Sequence, residues 1–575
     1  MMDGDYAYES PEGAKLSPIK RLLRLLFPER RDITIVIAFS VGVGIMTLAT
    51  PVAVQALVNF VAFGGLLQPL VILGLLLLVF LSVAGAMRVF KTWVVEVMQR
   101  RIFVRVATDL SQRLPRVRLD AYDHGHGPEL VNRFFDVLTV QKAGAALLLD
   151  GVGVVLQTLI GLTILAFYHP VLLAFDALLV VAIFFVLFIL GRGAVRTAIT
   201  ESKAKYAVAA SLEEIARNPT SFKLAGGPAF AHQRTDQLAV EYVSARRKHF
   251  SIVLRQVVGA VALQAAAGTA LLTIGGWLVI EGQLTLGQLV ASELIVSIVL
   301  ASFAKIGKQL ESYYDLLAGV DKLGQLIDLP VERATGQCYT ARKTGLEVAI
   351  NGISFGYRAG ENLLEDFNLR ISGGDRVCVV GSHGSGKSTL ADILYGLREP
   401  DFGNIELDGI DMRELDLRSI RHDVVLVKGF EMIEGTVTDN IRMNRASVTM
   451  EDVRRALSDV GLLAEMRSLP DGLDTWISSS GAPLSLGQAK RLMLARAIAG
   501  RPRLLVLDDL LDDLDKEARQ SVIDMLVSPE RSWTLIVFSH GGWDCKGIGR
   551  IVALPGRMPT SGARRAVAVP ATQEV

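Results

Sequence analysis

Apolar positions are not spread evenly along this chain. From Ile33 to Met87 there is no Asp, Glu, Lys or Arg. Gly151–Phe175 and Ala177–Gly191 are also free of charge, parted only by Asp176. Gln256–Ile280 forms another such run, and Leu284–Ala304 carries Glu293 alone. A bilayer span needs about 20 apolar residues. The 33–87 and 151–191 blocks are each long enough for two spans with a tight turn, and the last two runs for one each. The pattern predicts six transmembrane helices, and the run lengths argue against buried core helices of a soluble protein.

Before the first span, "IKRLLRLLFPERR" (19–31) mixes leucines with Lys20, Arg21 and Arg24 at helical spacing. It predicts an amphipathic elbow helix on the inner membrane surface. The short turns at 63–69, 168–170 and 281–288 lack Lys and Arg, whereas the connections near 88–148 and 192–255 are rich in both. Basic residues stay on the cytoplasmic side. Both termini and both long loops are therefore expected in the cytoplasm, with the chain in the plasma (inner) membrane. The long loops should extend as helices and fold back near 118–137 and 213–231.

After Leu329 the pattern changes. A polar linker (330–345) precedes short strand-like runs alternating with helices: "LEVAINGISF", "DRVCVVG", "NIELDG", "VVLVKG", "RLLVLDD" and "WTLIVFSH". Strands alternating with helices predict an α/β domain around a largely parallel sheet. The expected order is a cytoplasmic amino terminus (1–32), a membrane domain (33–329), the linker, a nucleotide-binding domain (346–556) and a disordered tail (557–575).

Net charge over the 575 residues is +1, which gives no basic field for nucleic acid. Mean hydropathy is +0.39, high for a soluble protein. The three cysteines, Cys338, Cys378 and Cys545, are scattered and suggest neither a disulfide framework nor a zinc site.

The chemistry concentrates in "VVGSHGSGKSTLADIL" (379–394). Gly381, Gly386, Lys387 and Ser388 fit the G-x-x-x-x-G-K-[ST] phosphate loop between an apolar strand and a helix. Its glycines let backbone N–H groups face phosphate oxygens, and the helix N-terminus adds positive potential. Ser382, His383, Gly384, Ser385 and Thr389 complete the loop. Lys387 would pair with phosphate and Ser388 would ligate Mg²⁺. The strand "RLLVLDD" supplies Asp508 as a second Mg²⁺ ligand and Asp509 to orient or deprotonate an attacking water. His540 closes the next strand and could meet the terminal phosphate. Tyr357 could stack on a base.

Six spans followed by these motifs resemble the half-transporter exporters of the ATP-binding-cassette superfamily. The resemblance runs from about Ser17 to Leu554 and rests on the phosphate loop, "LSLGQ" (484–488), "LLVLDD" and His540. It implies a domain-swapped exporter dimer with ATP and Mg²⁺ as cofactors. Each ATP would lie between one copy's phosphate loop and the other's signature residues Ser485, Gly487 and Gln488. Closure would turn an inward-facing cavity outward, and hydrolysis would reset it. The partners implied are a second copy of the chain, or a related subunit, and the bilayer; the cargo is not implied.

The sequence departs from the family pattern at four places. Leu486 replaces a signature glycine. Asp509 stands where a glutamate is usual, and it is shorter by one methylene. Lys428 stands where a glutamine senses Mg²⁺, and an ammonium cannot ligate a metal, although it could neutralise phosphate. Ser479 replaces a common glutamate. Carboxylate and signature are thus altered in one chain, which favours a homodimer with two slow sites. The other reading is a nucleotide-gated assembly with little turnover. Asp176 and Glu293, inside spans, are candidates to contact cargo, with Gln55, Gln157 and Gln264 as weaker ones.

Overall fold

The computed structural model describes residues 17–62, 67–123, 131–304, 306–339, 344–358, 361–539 and 547–555. The chain divides after Pro330 into two compact units. The expected disordered tail lies outside the described residues, as do 340–343 of the linker.

The first unit is helical throughout. Ser17 caps its first helix, Pro18–Leu26, by accepting from the Lys20 N–H, and Pro18 sits where no intrahelical donor is needed. Ile19, Leu23 and Phe27 form an exposed apolar face. Arg21 points inward instead and holds Asp321 at 2.8 Å and Asp328 at 2.6 Å. Among the described residues five helices are long and apolar enough to cross a membrane: Pro18–Val61, Gln68–Arg116, Arg133–Tyr168, Pro170–Arg217 and Gly227–Ile280. A shorter apolar segment, Leu286–Val299, lies in the helix Leu286–Ala304. The 54-residue helix Gly227–Ile280 is about 80 Å long at 1.5 Å per residue, far more than a bilayer core needs, so it projects well beyond the membrane. Its fold-back is a short helical piece, Pro219–Phe222, followed by Gly226 at φ +86°, a left-handed turn that glycine allows without strain.

The second unit is built on a five-stranded parallel sheet, order β11-β3-β10-β9-β6. These strands are β3 (Arg376–Val380), β6 (Val424–Lys428), β9 (Leu504–Asp508), β10 (Thr534–Ser539) and β11 (Arg550–Ala553). β9 and β10 are buried along their whole length, as expected of strands covered on both faces. Alternate residues serve two cores. Val377, Val379, Val506 and Ile536 face one, and Cys378, Leu505, Leu507 and Val537 face the other. Cys378 is disulfide-bonded and Cys338 is a free thiol, so the expectation of unpaired cysteines fails at Cys378.

A second, antiparallel sheet has order β2-β1-β4-β5, comprising β1 (Val348–Phe355), β2 (Leu364–Ile371), β4 (Phe402–Leu407) and β5 (Ile410–Asp411). A small pair, β7 (Gly435–Thr436) with β8 (Trp476–Ile477), completes the unit. The parallel register places Val380 beside Ser539, Phe538 beside Asp508, and Asp508 beside Lys428. The sheet's carboxyl edge is therefore a row of chain ends from which loops of different sequence emerge together.

A buried ion pair ties this unit together. Arg503, just before β9, meets Asp408 at 2.8 Å, with both side chains 8 % exposed. Burial opposes ionisation of Asp408, yet hydrogen bonds from Tyr339, the Glu347 N–H and Arg503 hold its carboxyl below the usual range. Asp408→Ala leaves Arg503 buried without its counter-charge. Loss of one partner of such a pair costs about 3–5 kcal/mol. The stability is present above the ordinary carboxylate pKa and is lost as pH falls through the depressed one. The variant should therefore show a lowered thermal midpoint at neutral pH, with the gap to wild type narrowing below about pH 4.

Candidate functional site: a phosphate loop at a sheet edge

β3 ends at Val380 and the chain enters the helix Lys387–Leu394 through six residues. Gly384 (φ +76°) and Gly386 (φ +95°) take left-handed conformations. The left-handed backbone at Gly386 favours glycine, and a Cβ there would also push the Leu364 side chain aside, 2.9 Å from its Cδ2. Lys387 Nζ donates to the carbonyls of Gly381 (2.7 Å) and Ser382 (3.0 Å), arching over the loop. Burial pushes its ammonium pKa down, and the charges of Asp509, Asp508 and Asp512 work against that shift. The Ser385 hydroxyl is buried with no hydrogen-bond partner. Ser382, His383 and Gly384 are exposed at the rim. A buried unmatched hydroxyl, a lysine and a helix N-terminus fit a phosphate chain.

Asp508 closes β9 beside this loop. It is buried, Ser388 hydrogen-bonds its carboxylate, and its Oδ1 has no hydrogen-bond partner. Burial raises its carboxyl pKa; Ser388 lowers it, Asp509 raises it and Lys428 lowers it. An orphaned carboxylate oxygen next to a hydroxyl is an all-oxygen corner, the donor set a Mg²⁺ ion prefers.

Asp509 follows with φ +53°. Left-handed backbone is uncommon outside glycine, and Asp and Asn tolerate it better than longer side chains. Its carbonyl accepts from Lys490 Nζ at 3.2 Å, and Lys490 also pairs with Asp513. Lys428, ending β6, pairs with Asp392 of the phosphate-loop helix. Tyr357 shares a hydrogen bond of 2.9 Å with Thr389 Oγ1, and the Arg398 guanidinium lies 4.8 Å from its ring centre. The hydroxyl is thus tied to the loop helix and one ring face is taken by a cation. His540 lies outside the described residues.

The signature segment starts another helix, Leu486–Ala499. Ser485 caps it: its hydroxyl accepts from the Gln488 N–H (3.2 Å), and Gln488 Oε1 accepts from the Ser485 N–H (2.8 Å). Gln488 Nε2 reaches Glu465 at 2.6 Å. Leu486 is 51 % exposed at this helix N-terminus. Ser479 Oγ lies 3.4 Å from Glu434.

In the helical unit, Asp176 is 5 % exposed and neither carboxylate oxygen has a hydrogen-bond partner. Glu293 accepts from Ser297 Oγ at 3.0 Å. A cavity of about 460 Å³ is lined by Ile37, Leu147, Val155, Leu187, Gln309 and Tyr313 among others. Gln55 (bound by the Tyr168 hydroxyl at 2.7 Å), Gln157 and Gln264 are not among its lining residues. Gln309, with a buried unmatched Oε1, is. The sequence reading missed it because it lies beyond the charge-free run that ends at Ala304.

A phosphate loop and an acidic strand end on a parallel sheet, on the same chain as a bundle of membrane-length helices, define a membrane-anchored nucleotide-binding protein. Residues 364–511 match the ABC transporter family and residues 33–303 match the ABC transporter transmembrane region. The chain belongs to the ATP-binding-cassette transporters and has the half-transporter exporter fold. It is 32 % identical over 286 residues to the uncharacterized ABC transporter ATP-binding protein YwjA of Bacillus subtilis (strain 168), covering 49 % of this chain and 50 % of that one. It is 29 % identical over 285 residues to the alpha-hemolysin translocation ATP-binding protein HlyB of Escherichia coli O157:H7, covering 49 % and 40 %. The chain thus spans about half the length of the curated relatives it matches. A bacterial Atm1-family ABC exporter with ATP bound shares the fold with a TM-score of 0.81 at 20 % identity, over 92 % of this chain and 93 % of that one.

Gly386→Ala should weaken ATP binding by at least about tenfold, roughly the 1.4 kcal/mol that a strained backbone costs. Equilibrium titration of the purified protein with a fluorescent nucleotide reads it. Unchanged affinity would show that the loop does not cradle phosphate.

Proposed function

We propose that the chain is one half of an ATP-driven exporter that works as a homodimer in the plasma (inner) membrane, with both termini cytoplasmic. The observation that carries this reading is the unmatched Ser385 hydroxyl and Asp508 oxygen flanking a lysine-capped loop, in a chain that also holds a membrane bundle. The loop N–H groups, Lys387 and the helix N-terminus bind the phosphates of ATP. Ser388 and Asp508 would hold Mg²⁺, which when bound neutralises phosphate charge. Asp509 would orient the attacking water, and His540 is the sequence's candidate to contact the terminal phosphate. Tyr357 is the candidate to stack on adenine, with Arg398 and Phe355 already packed against its ring. Ser485, Gly487 and Gln488 of the partner copy close the site, because helix N-termini favour anions. Closure of the sandwich would drive the membrane helices from inward- to outward-facing.

Hydrolysis is slow in this reading. Asp509 is one methylene short of the usual glutamate, and a misplacement of about 1 Å can cost a hundredfold. Leu486 sets an exposed branched side chain where the γ-phosphate would approach. The apolar cavity with Gln309 and Tyr313 suits an amphiphilic cargo, and Asp176 and Glu293 would meet a cationic or polar cargo only in the outward-facing state. The second reading, a nucleotide-gated assembly, is favoured by the same two substitutions.

Two measurements follow from this assignment. The purified dimer should hydrolyse ATP well below the typical enzyme kcat of about 10 s⁻¹; tens of turnovers per second would contradict it. Leu486→Gly with Asp509→Glu should raise the rate by at least about fivefold, the gain being limited because glutamate must adopt left-handed backbone. A large gain that leaves transport unchanged would favour the gated assembly.

A further inference from the structure

Two single π-turns, Leu147–Gly151 and Phe185–Ile189, border the cavity of about 460 Å³ in the helical unit through Leu147, Gly151 and Leu187. Such turns are rare and are frequent at functional sites. Each is braced from another helix. Lys91 Nζ donates to the Leu149 carbonyl at 2.7 Å, and the fully buried Gln256 donates through Nε2 to the Leu187 carbonyl at 3.1 Å. Gln309 lines the same space, and its Oε1 is buried with no hydrogen-bond partner. That oxygen lies beside the first π-turn, 3.6 Å from where a Cβ on Gly151 would stand. Ile37 and Val152 are near the starts of charge-free runs and Leu187 is near the end of one, and each of those ends adjoins a basic connection. In the proposed orientation the cavity is therefore at the depth of the inner leaflet.

Three features define the occupant. The volume falls in the range of about 300–1,000 Å³ typical of small-molecule sites. Among the described residues that line the cavity none is charged, and an unpaired charge is costly to bury. Gln309 Oε1 is a carbonyl oxygen that can only accept a hydrogen bond, and a buried acceptor left unmatched is costly too. We propose that this cavity binds an uncharged amphiphile carrying a hydroxyl or amide donor, with Gln309 Oε1 accepting from that donor and the apolar walls taking its chain. An ether of the same length would fit the walls and leave the oxygen unmatched. A quaternary ammonium would bring a charge with no counter-charge and no N–H to give. As the class of cargo, the inference rests on the exporter reading given above.

The test is photolabelling of the full-length protein in lipid nanodiscs with a diazirine-bearing ten-carbon primary alcohol, mapped by mass spectrometry. The label should fall on residues 147–156 or 309–313. Unlabelled 1-decanol should compete at least about tenfold better than 1-methoxydecane or decyltrimethylammonium, the factor that one unmatched buried group costs. Gln309→Leu should keep the label in place and bring the alcohol-to-ether ratio to within about twofold of one. Gln309→Met, which keeps the side-chain length without the carbonyl, should do the same and serves if the leucine variant does not fold. Label spread evenly over the lipid-facing helices, or the same ratio in wild type and both variants, overturns the inference and leaves ATP-driven export standing. ATP titration of the same preparation tests the exporter reading by itself: absence of binding would remove that reading, and the cargo role with it, whatever the label shows.

Discussion

A triphosphate is a concentrated anion, and everything in the second unit serves the problem of holding one without water. The answer is geometric. β3 delivers the chain to a turn whose two left-handed glycines let it re-enter a helix at once, so backbone donors and a helix N-terminus converge on one small volume. That convergence needs β3 fixed in register against β10, which in turn pairs with β9. The fully buried strands supply the rigidity, and the Arg503–Asp408 pair ties the antiparallel sheet to the start of β9.

The same register gathers charge. Asp508, Asp509 and Asp392 crowd one edge, and Lys387, Lys428 and Arg398 answer them. Carboxylates so placed are costly to bury unless something positive arrives or is already present. Here part of that positive charge is built in by Lys387, Lys428 and Arg398.

Much of this was legible in the chain. Charge-free runs longer than 20 residues can only be spans or very large cores, and the helices follow them. The phosphate loop was readable because its glycines, lysine and serine sit at fixed spacing between a period-2 strand and a helix. What escaped depends on contacts distant in sequence. Lys428 meets Asp392 across 36 positions, because sheet order, and not spacing, brings β6 beside β9. Tyr357 reaches Thr389 for a similar reason. The left-handed backbone at Asp509 has no sequence mark, since aspartate is equally at home in ordinary turns. The burial of Asp176 depends on how neighbouring helices are packed around it, and one helix's pattern does not contain that.

The central claim is that ATP joins two copies, loop of one against signature of the other. Its most direct measurement is disulfide trapping in the full-length protein with His383→Cys and Leu486→Cys, on a background with the exposed Cys338 changed to Ser. The account predicts a covalent dimer that forms readily with ATP and scarcely without it. A chain that stays monomeric with ATP, or a cross-link indifferent to nucleotide, would contradict it.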